Sequence, residues 1–330
     1  MKTIMTALLI ITLLTGQAYA LPAGEKLSII ALNFPAYDFS RQIAGDRAEI
    51  SMLLPPGTDA HSFEPSPKDL ISLQKADLVI FNGGVGDYWV NEMLESLGDE
   101  APATLVMMEL VETVEEELIE GMEDVEHAHS QETPGEHPEH EEESHEEEGH
   151  EIEARELDEH VWTAPKNAIL ISKAIMDTLI NLDPEGKSSY EQQYARYEIE
   201  LSKLDRDFKE MIQAAGSRTI VLGDRFPMRY FTREYGLAYY AAFPGCSVQT
   251  EPSAKTIAFL MDTIKENKIP VVFFIEFSSQ KAARLIAEET GAKALLLHSA
   301  HNVTRQELDN GVTYISIMAN NLNNLREALN

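Results

Sequence analysis

Apolar residues in the first hundred positions occur either in short continuous runs or at helical spacing. The run at 76–81 (ADLVIF) is apolar almost throughout, which is typical of a strand buried on both faces of a parallel sheet. Ser66, followed three positions later by Asp69, is the expected N-cap of a helix. The pattern predicts strands at 27–34, 49–54, 76–81 and 104–108, alternating with helices at 36–43, 65–75 and 88–97. Such alternation indicates βαβ units and a parallel sheet.

The second half of the chain repeats this alternation after one long helix. At 188–215, apolar side chains recur every three or four positions, which predicts a single helix. A shorter helix is predicted just before it, at 167–182. The strands predicted beyond it are 219–222, 238–243, 271–275 and 294–297, with helices at 228–235, 254–266, 280–290 and 314–329.

These patterns predict an α/β protein made of two Rossmann-like lobes joined by one long, rigid helix. The N-terminal lobe is expected at 21–187, the linking helix at 188–215 and the C-terminal lobe at 216–330. In open α/β sheets, ligands bind beyond the carboxyl ends of the strands. We therefore expect the ligand site in the cleft between the lobes.

The first twenty residues have the pattern of an export signal. Lys2 precedes a short apolar stretch, and Ala18-Tyr19-Ala20 fits a small-x-small cleavage site. We predict a signal peptide at 1–20, and hence an exported protein in the periplasm or at the outer face of the cell membrane. Gln17 stands where a lipoprotein would carry its lipid-bearing Cys, so no lipid anchor is expected.

Residues 112–159 differ from the rest in composition. They hold 22 acidic residues and one basic residue, Arg155, with few large apolar side chains. Since such a segment buries too little surface to offset the entropy of ordering, we predict that most of it is disordered. The formal net charge of the chain, −30, argues against nucleic acid as a partner. Cys246 is the only cysteine, so no internal disulfide can form.

Histidines supply the candidate chemistry. His61 follows a predicted strand, His160 precedes the return of the apolar pattern, and His298 comes directly after the last predicted strand, with His301 three residues on. Three imidazoles plus a carboxylate would satisfy a tetrahedral zinc ion, whereas manganese prefers oxygen ligands. Six more histidines lie in the acidic segment and are expected to bind zinc weakly: His127, His129, His137, His140, His145 and His150.

Two motifs resemble those of a known family, the zinc and manganese substrate-binding proteins of ABC transporters. The run 55–65 (PPGTDAHSFEP) is similar to that family's first metal-binding loop, and 158–162 (DEHVW) is similar to its second. The acidic, His-rich insertion resembles the mobile loop of the zinc-specific members, and the long helix resembles their rigid linker. The resemblance implies a monomer that captures zinc and delivers it to a membrane permease, which is driven by an ATPase.

The C-terminal lobe departs from the family pattern. Arg225 stands where the family places a third histidine, and a guanidinium cannot be a ligand. His298 stands where the family usually has Asp or Glu. We therefore expect His61, His160 and His298 as ligands. The fourth place is left open between water and His301, Asp224, Glu276 or Glu251, with ion pairing to Arg225 as the alternative role of Glu276.

The sequence is also compatible with two other functions. An extracellular metal buffer or adhesin would depend mainly on the His-rich segment. A zinc hydrolase would use Glu276 as a general base, but the chain has no H-E-x-x-H motif. A nucleotide-binding G-x-x-x-x-G-K-[ST] motif is also missing from the sequence, so ATP hydrolysis would belong to partner chains. We therefore expect a binding protein and not an enzyme.

Overall fold

The computed structural model describes residues 26–122, 156–247 and 251–330. These residues form two four-stranded sheets, each parallel throughout and covered by helices. The two-lobe α/β architecture predicted from the sequence is confirmed. The predicted signal peptide at 1–20 lies outside the described residues. Among the residues described, no helix is both long enough and apolar enough to cross a membrane.

The first sheet has the strand order β2-β1-β3-β4. Asn33 begins the first helix by accepting a hydrogen bond from the backbone N–H of Ala36 (3.1 Å). Ser66 and Asp69 form the predicted capping box at the second helix. The strands are β1 (Leu27–Ala31), β2 (Ala48–Met52), β3 (Leu78–Phe81) and β4 (Ala103–Val106), and the helices are α1 (Phe34–Ala44), α2 (Pro67–Gln74) and α3 (Tyr88–Leu97).

Two long helices connect this sheet to the second one. They are α4 (Pro165–Leu182) and α5 (Lys187–Ala214), and α5 packs against α1, α4 and α10 (Tyr314–Leu329). Its buried side chains recur at the predicted three- and four-residue spacing, from Tyr190 to Ile212. Because this stripe belongs to a core shared by both lobes, the helix is a packed element of the fold.

The second sheet has the order β6-β5-β7-β8. β5 is four residues longer than predicted, because pairing with β6 resumes at Arg225 after a register shift. The short helix α9 was not predicted from the sequence. The elements are β5 (Thr219–Phe226), β6 (Ala238–Pro244), β7 (Val271–Phe274) and β8 (Lys293–Leu296), with α6 (Arg229–Tyr235), α7 (Ala254–Asn267), α8 (Lys281–Thr290) and α9 (Arg305–Asp309).

The two ends of the acidic segment, most of which is predicted to be disordered, are ordered. Residues 112–122 and 156–159 are described, and Glu115 pairs with Leu157 in an antiparallel bridge. The backbone N–H of Asp158 donates to Val114 O (2.9 Å). This pairing satisfies backbone groups that composition alone would leave unpaired. The intervening residues 123–155, with the six loop histidines, lie outside the described part of the chain.

Candidate metal centre

Three histidine side chains from separate parts of the chain meet in the cleft between the lobes. His61 lies in the short 3-10 helix Ala60–Ser62 after β2, His160 precedes the 3-10 helix Val161–Thr163, and His301 follows β8. One ring nitrogen from each lies within 4.8 Å of those of the other two. Their ring centroids are 5.4 to 5.6 Å apart. This spacing brings three metal-binding groups to one point.

The loop that carries His61 is held by both lobes. Asp59 caps the 3-10 helix by accepting a hydrogen bond from the backbone N–H of His61 (3.1 Å). From the second lobe, the side-chain amide of Asn302 donates to Pro55 O (2.8 Å) and Thr58 O (2.9 Å). These contacts fix the backbone before and after Gly57, and so fix the position of the imidazole.

His160 is oriented by its neighbour Asp158. The side chain of His160 is 1% exposed, and Oδ1 of Asp158 accepts from its backbone N–H (2.8 Å) and lies 3.3 Å from its Nδ1. Thr163 donates its hydroxyl to the carbonyl of His160 (2.9 Å). A carboxylate at Nδ1 favours the tautomer in which Nε2 carries the free lone pair. His160 is therefore poised to bind a metal through Nε2.

Trp162 links the His160 loop to the second lobe. Its indole N–H donates to Ser299 O (2.8 Å), while its carbonyl accepts from the hydroxyl of Tyr314 on α10 (2.7 Å). Its ring packs edge-on against His301, with centroids 4.9 Å apart. This fully buried side chain thereby sets the distance between two of the three imidazoles.

Glu159 lies between Asp158 and His160 in the sequence and anchors the loop that carries His160 to the first lobe. Its Oε1 accepts from the backbone N–H of Gly86 (2.9 Å), and its carbonyl accepts from the amide of Asn82 (2.5 Å). A Cβ added at Gly84 would stand 2.0 Å from Glu159 Oε1. Glycine at 84 therefore leaves the space that this carboxylate occupies.

The electrostatic surroundings keep two of the imidazoles neutral. Burial, helped by the nearby His160 and Arg225, lowers the pKa of His61 to about 3. Burial, with His160 and His61 adding to it, lowers the pKa of His301 well below its usual value. At His160, burial favours the neutral form, but Asp158 and Glu116 outweigh it and raise the pKa. Neutral imidazoles offer the lone pairs that zinc needs, so this donor set fits zinc better than manganese.

The structure does not bring His298 into this group, although the sequence predicts it as a ligand. His298 is buried, its backbone N–H donates to Asn321 Oδ1 (2.9 Å), and its Nδ1 accepts from the N–H of Ala300 (2.9 Å). Ala300 has φ +62°, in the left-handed region. The chain turns there, and His301 takes the place beside His61 that the sequence assigned to His298.

Glu276 lies behind His301 and is already engaged. Its Oε2 accepts from the backbone N–H of Ser299 (2.8 Å) and lies 3.4 Å from Nδ1 of His298. Its Oε1 accepts from the hydroxyl of Ser299 and from the backbone N–H of His301 (3.3 Å). These contacts stabilise the turn that carries His301. Glu276 also lines the cavity, so it stays a candidate for the fourth place.

The other charged candidates lie in different surroundings. Glu251 is exposed and pairs with Lys281 (2.9 Å). Asp224 is buried and accepts from the backbone N–H of Arg225 (2.9 Å). Arg225 pairs with Asp59 (2.7 Å), and the structure shows no ion pair between Arg225 and Glu276, the alternative role of Glu276. Neither Glu251 nor Asp224 lines the cavity in which the three imidazoles meet.

That cavity has an empty volume of about 340 Å³ and is lined by both lobes. The first lobe contributes the loop around His61, and the second contributes the carboxyl ends of β5 and β7 and the loop after β8. A ligand held here would touch both halves of the protein. The lining residues are Thr58, Asp59, Ala60, His61, His160, Arg225, Pro227, Gly245, Ile275, Glu276, Phe277, Ser299, His301 and Asn302.

Comparison with known proteins assigns the chain to a family. Residues 29–328 match the family described as ZnuA, zinc-uptake complex component A, periplasmic. The chain belongs to this family. It is 32% identical over 306 residues to the high-affinity zinc uptake system protein ZnuA of Bacillus subtilis (strain 168), a match covering 93% of this chain and 88% of that protein.

Two streptococcal comparisons agree with this assignment. The chain is 30% identical over 305 residues to the zinc-binding lipoprotein AdcA of Streptococcus pneumoniae (strain ATCC BAA-255 / R6), covering 92% of this chain but 56% of that protein. The chain therefore spans little more than half of AdcA. The crystal structure of the Zn(II)-bound ZnuA-like domain of S. pneumoniae AdcA matches with a TM-score of 0.72 at 28% identity, covering 92% of this chain and 99% of that one.

Several residues that build the centre were not singled out by sequence reasoning. Asp59 and Asp158 were quoted only as parts of motifs, yet each accepts a hydrogen bond from the backbone of a histidine. No sequence motif points to Asn302, although it joins the two lobes beside His61. A usable signal existed for the two aspartates, since each stands two residues before its histidine.

Proposed function

We propose that this protein captures Zn²⁺ outside the cytoplasm with His61, His160 and His301, and delivers it to the permease of an ABC transporter. The observation that carries the proposal is the convergence of one ring nitrogen from each histidine within 4.8 Å. The family is described as a zinc-uptake component, and the relatives above are named for zinc uptake or zinc binding.

The ligand shell explains why zinc is the preferred cargo. Three imidazole nitrogens suit zinc, which is commonly bound by nitrogen and sulfur, whereas manganese favours an oxygen-rich shell. Asp158 holds the ring of His160, so the metal need not pay the full entropic cost of orienting that ligand. Three protein ligands leave a fourth position for water, an exogenous ligand or Glu276.

Cargo release follows from the distribution of the ligands. His61 and His160 belong to the first lobe, while His301 belongs to the second. A bound ion would join the lobes, and the permease would free it by separating His301 from the other two. The ATPase that drives this step is a separate chain, and the exported binding protein works as a monomer.

The His-rich segment would collect zinc for this centre. Its six histidines stand among carboxylates, and its C-terminal end is joined to the loop that carries His160. Tethered weak sites raise the local concentration of metal near the cleft. Deleting residues 122–150 should slow loading at scarce zinc and leave the affinity of the cleft unchanged.

Catalysis is not part of the proposal. The candidate general base, Glu276, accepts hydrogen bonds from Ser299 and from the backbone of His301, which leaves it poorly placed to activate water. We expect no hydrolysis of ester, peptide or phosphate substrates by the zinc-loaded protein. Hydrolysis that disappears in His61→Ala would contradict this expectation.

Calorimetric titration with zinc tests the proposal. We expect one tight binding event and several weak ones, and replacing the six loop histidines with alanine should remove only the weak events. Zinc at a thousand times its dissociation constant should stabilise the fold by about 4 kcal/mol. A series of equal, weak events would instead identify a metal buffer, and loss of the tight event with the loop histidines would contradict the cleft site.

A further inference from the structure

A fixed positive charge lies in the same cavity as the three imidazoles. Arg225, at the carboxyl end of β5, lines the cavity and is 5% exposed. A guanidinium keeps its proton at every physiological pH and carries five N–H donors. A cation binding beside it is repelled, unless a negative ligand lies between the two.

One side-chain nitrogen of Arg225 has no partner among the described residues. Its Nη2 donates to Asp59 Oδ2 (2.7 Å), and its Nη1 donates to Ser247 O (3.3 Å). Its Nε is buried, and no partner for it is found within the part of the chain that the structure describes. Because a buried N–H without a partner is unfavourable, the group is ready to receive a ligand.

Three carboxylates beside the centre each hold a neighbouring group. Asp59 pairs with Arg225, Asp158 accepts from His160 through Oδ1, and Glu276 accepts from the loop that carries His301. Three imidazoles occupy three positions of a tetrahedral zinc ion. A negatively charged ligand at the fourth position would therefore also give the guanidinium of Arg225 an acceptor.

We propose that the cavity binds a small monovalent anion, a halide or a carboxylate, which fills the fourth position of the carried zinc and accepts a hydrogen bond from the guanidinium of Arg225. This inference rests on the proposed function, since it needs a metal at the three histidines. The arginine then has a role that the metal-binding histidine expected at that place could not supply. The cargo is then a zinc–anion pair, and loss of the anion would lower the affinity of the centre for zinc.

Cobalt(II) provides the probe, because its visible spectrum reports coordination number and ligand type. The protein is loaded with Co²⁺ in a buffer whose anions do not coordinate, and azide is titrated first. We expect a spectral change that saturates, and chloride and acetate added separately then distinguish a halide from a carboxylate. Arg225→Gln should weaken azide binding at least tenfold, because a hydrogen bond from a charged donor is lost.

Matched variants separate this role from structural effects. Arg229→Gln is the control, since Nε of Arg229 also lacks a partner among the described residues, but Arg229 does not line the cavity. Its azide affinity should stay within twofold of wild type. If Arg225→Gln fails to fold, Asp59→Asn combined with Arg225→Gln removes both charges of the ion pair and gives the same comparison.

The outcomes are distinct. If Co²⁺ fails to bind tightly, the proposed function is wrong. If it binds tightly but its spectrum ignores every anion, or if Arg225→Gln binds azide as well as wild type, the anion site is wrong and the metal centre stands. If the Co²⁺ spectrum in the anion-free buffer already shows a fourth protein ligand, and Glu276→Gln removes that ligand while the three imidazoles stay bound, Glu276 is the fourth ligand, and this too overturns the anion site.

Discussion

Replacing Asp158 with asparagine tests how the protein prepares a ligand before the metal arrives. Asp158 is fully buried, and its Oδ1 accepts from the backbone N–H of His160 and lies 3.3 Å from its Nδ1. The asparagine oxygen can still accept from the backbone. It cannot supply the charge that makes His160 a stronger ligand.

The structure also sets the size of the effect. Loss of a carboxylate that orients a metal-binding histidine costs about 10–100-fold in metal affinity, or about 1.4–2.7 kcal/mol. Oδ2 of Asp158 has no partner among the described residues, so an amide nitrogen placed there loses no hydrogen bond. We therefore expect the apo protein to lose about 1 kcal/mol of stability or less, in line with a conservative polar change.

Competition against a zinc chelator measures the affinity, and urea unfolding of the apo protein measures the stability. Asp158 raises the pKa of His160, so wild type should release a proton when zinc binds below that pKa. Asp158→Asn should release fewer protons per zinc ion bound. Asp183→Asn is the matched control, because this buried carboxylate pairs with Arg47 far from the cleft. It should lower stability without changing zinc affinity. An Asp158→Asn affinity within twofold of wild type would refute the reasoning.

Two further predictions concern the fold around the site. Burial, with the charge of Glu159 adding to it, raises the pKa of Asp87 from 3.8 to about 6. The stability that Asp87 contributes is therefore complete below pH 3.8 and is lost as the pH rises through 6. In wild type, the free energy of unfolding should fall by about 3 kcal/mol over this range, and urea unfolding of Asp87→Asn should lack this fall. A Cβ at Gly223 would stand 2.9 Å from the backbone of Ala283, so Gly223→Ala should lose about 1–3 kcal/mol, whereas Gly216→Ala, with its nearest atom at 3.9 Å, should lose almost nothing. Equal unfolding midpoints for the two glycine variants would contradict the packing argument, and parallel pH curves would contradict the one on Asp87.

The sequence predicts most elements because burial imposes a visible period on them. Strands such as β3 (Leu78–Phe81) are buried and apolar on both faces, and the long helix repeats its buried side chains at a spacing of three and four residues. The end of β5 escaped prediction because Asp224 and Arg225 are polar residues in a buried strand. Their partners, including Asp59 in the other lobe, are distant in sequence.

The site was predictable only as far as local motifs define it. His61 and His160 stand in recognisable loops, and the structure places them together. The choice between His298 and His301 depends on a left-handed residue, Ala300, and alanine gives no sequence signal for that conformation. The ordered ends of the acidic segment escaped prediction because their partners are distant in sequence. Glu116 accepts from backbone N–H groups near Cys246, 130 positions away.

The most direct test compares the zinc affinities of His301→Ala and His298→Ala by chelator competition, with apo unfolding measured for each. Our account predicts that His301→Ala loses at least a hundredfold in affinity, because it removes one of three converging ligands. His298→Ala should stay within about fivefold, since a neighbour's backbone N–H already engages its Nδ1 and its effect would reach the metal only through the loop. The reverse order, with His298→Ala destroying the tight event and His301→Ala preserving it, would contradict the account.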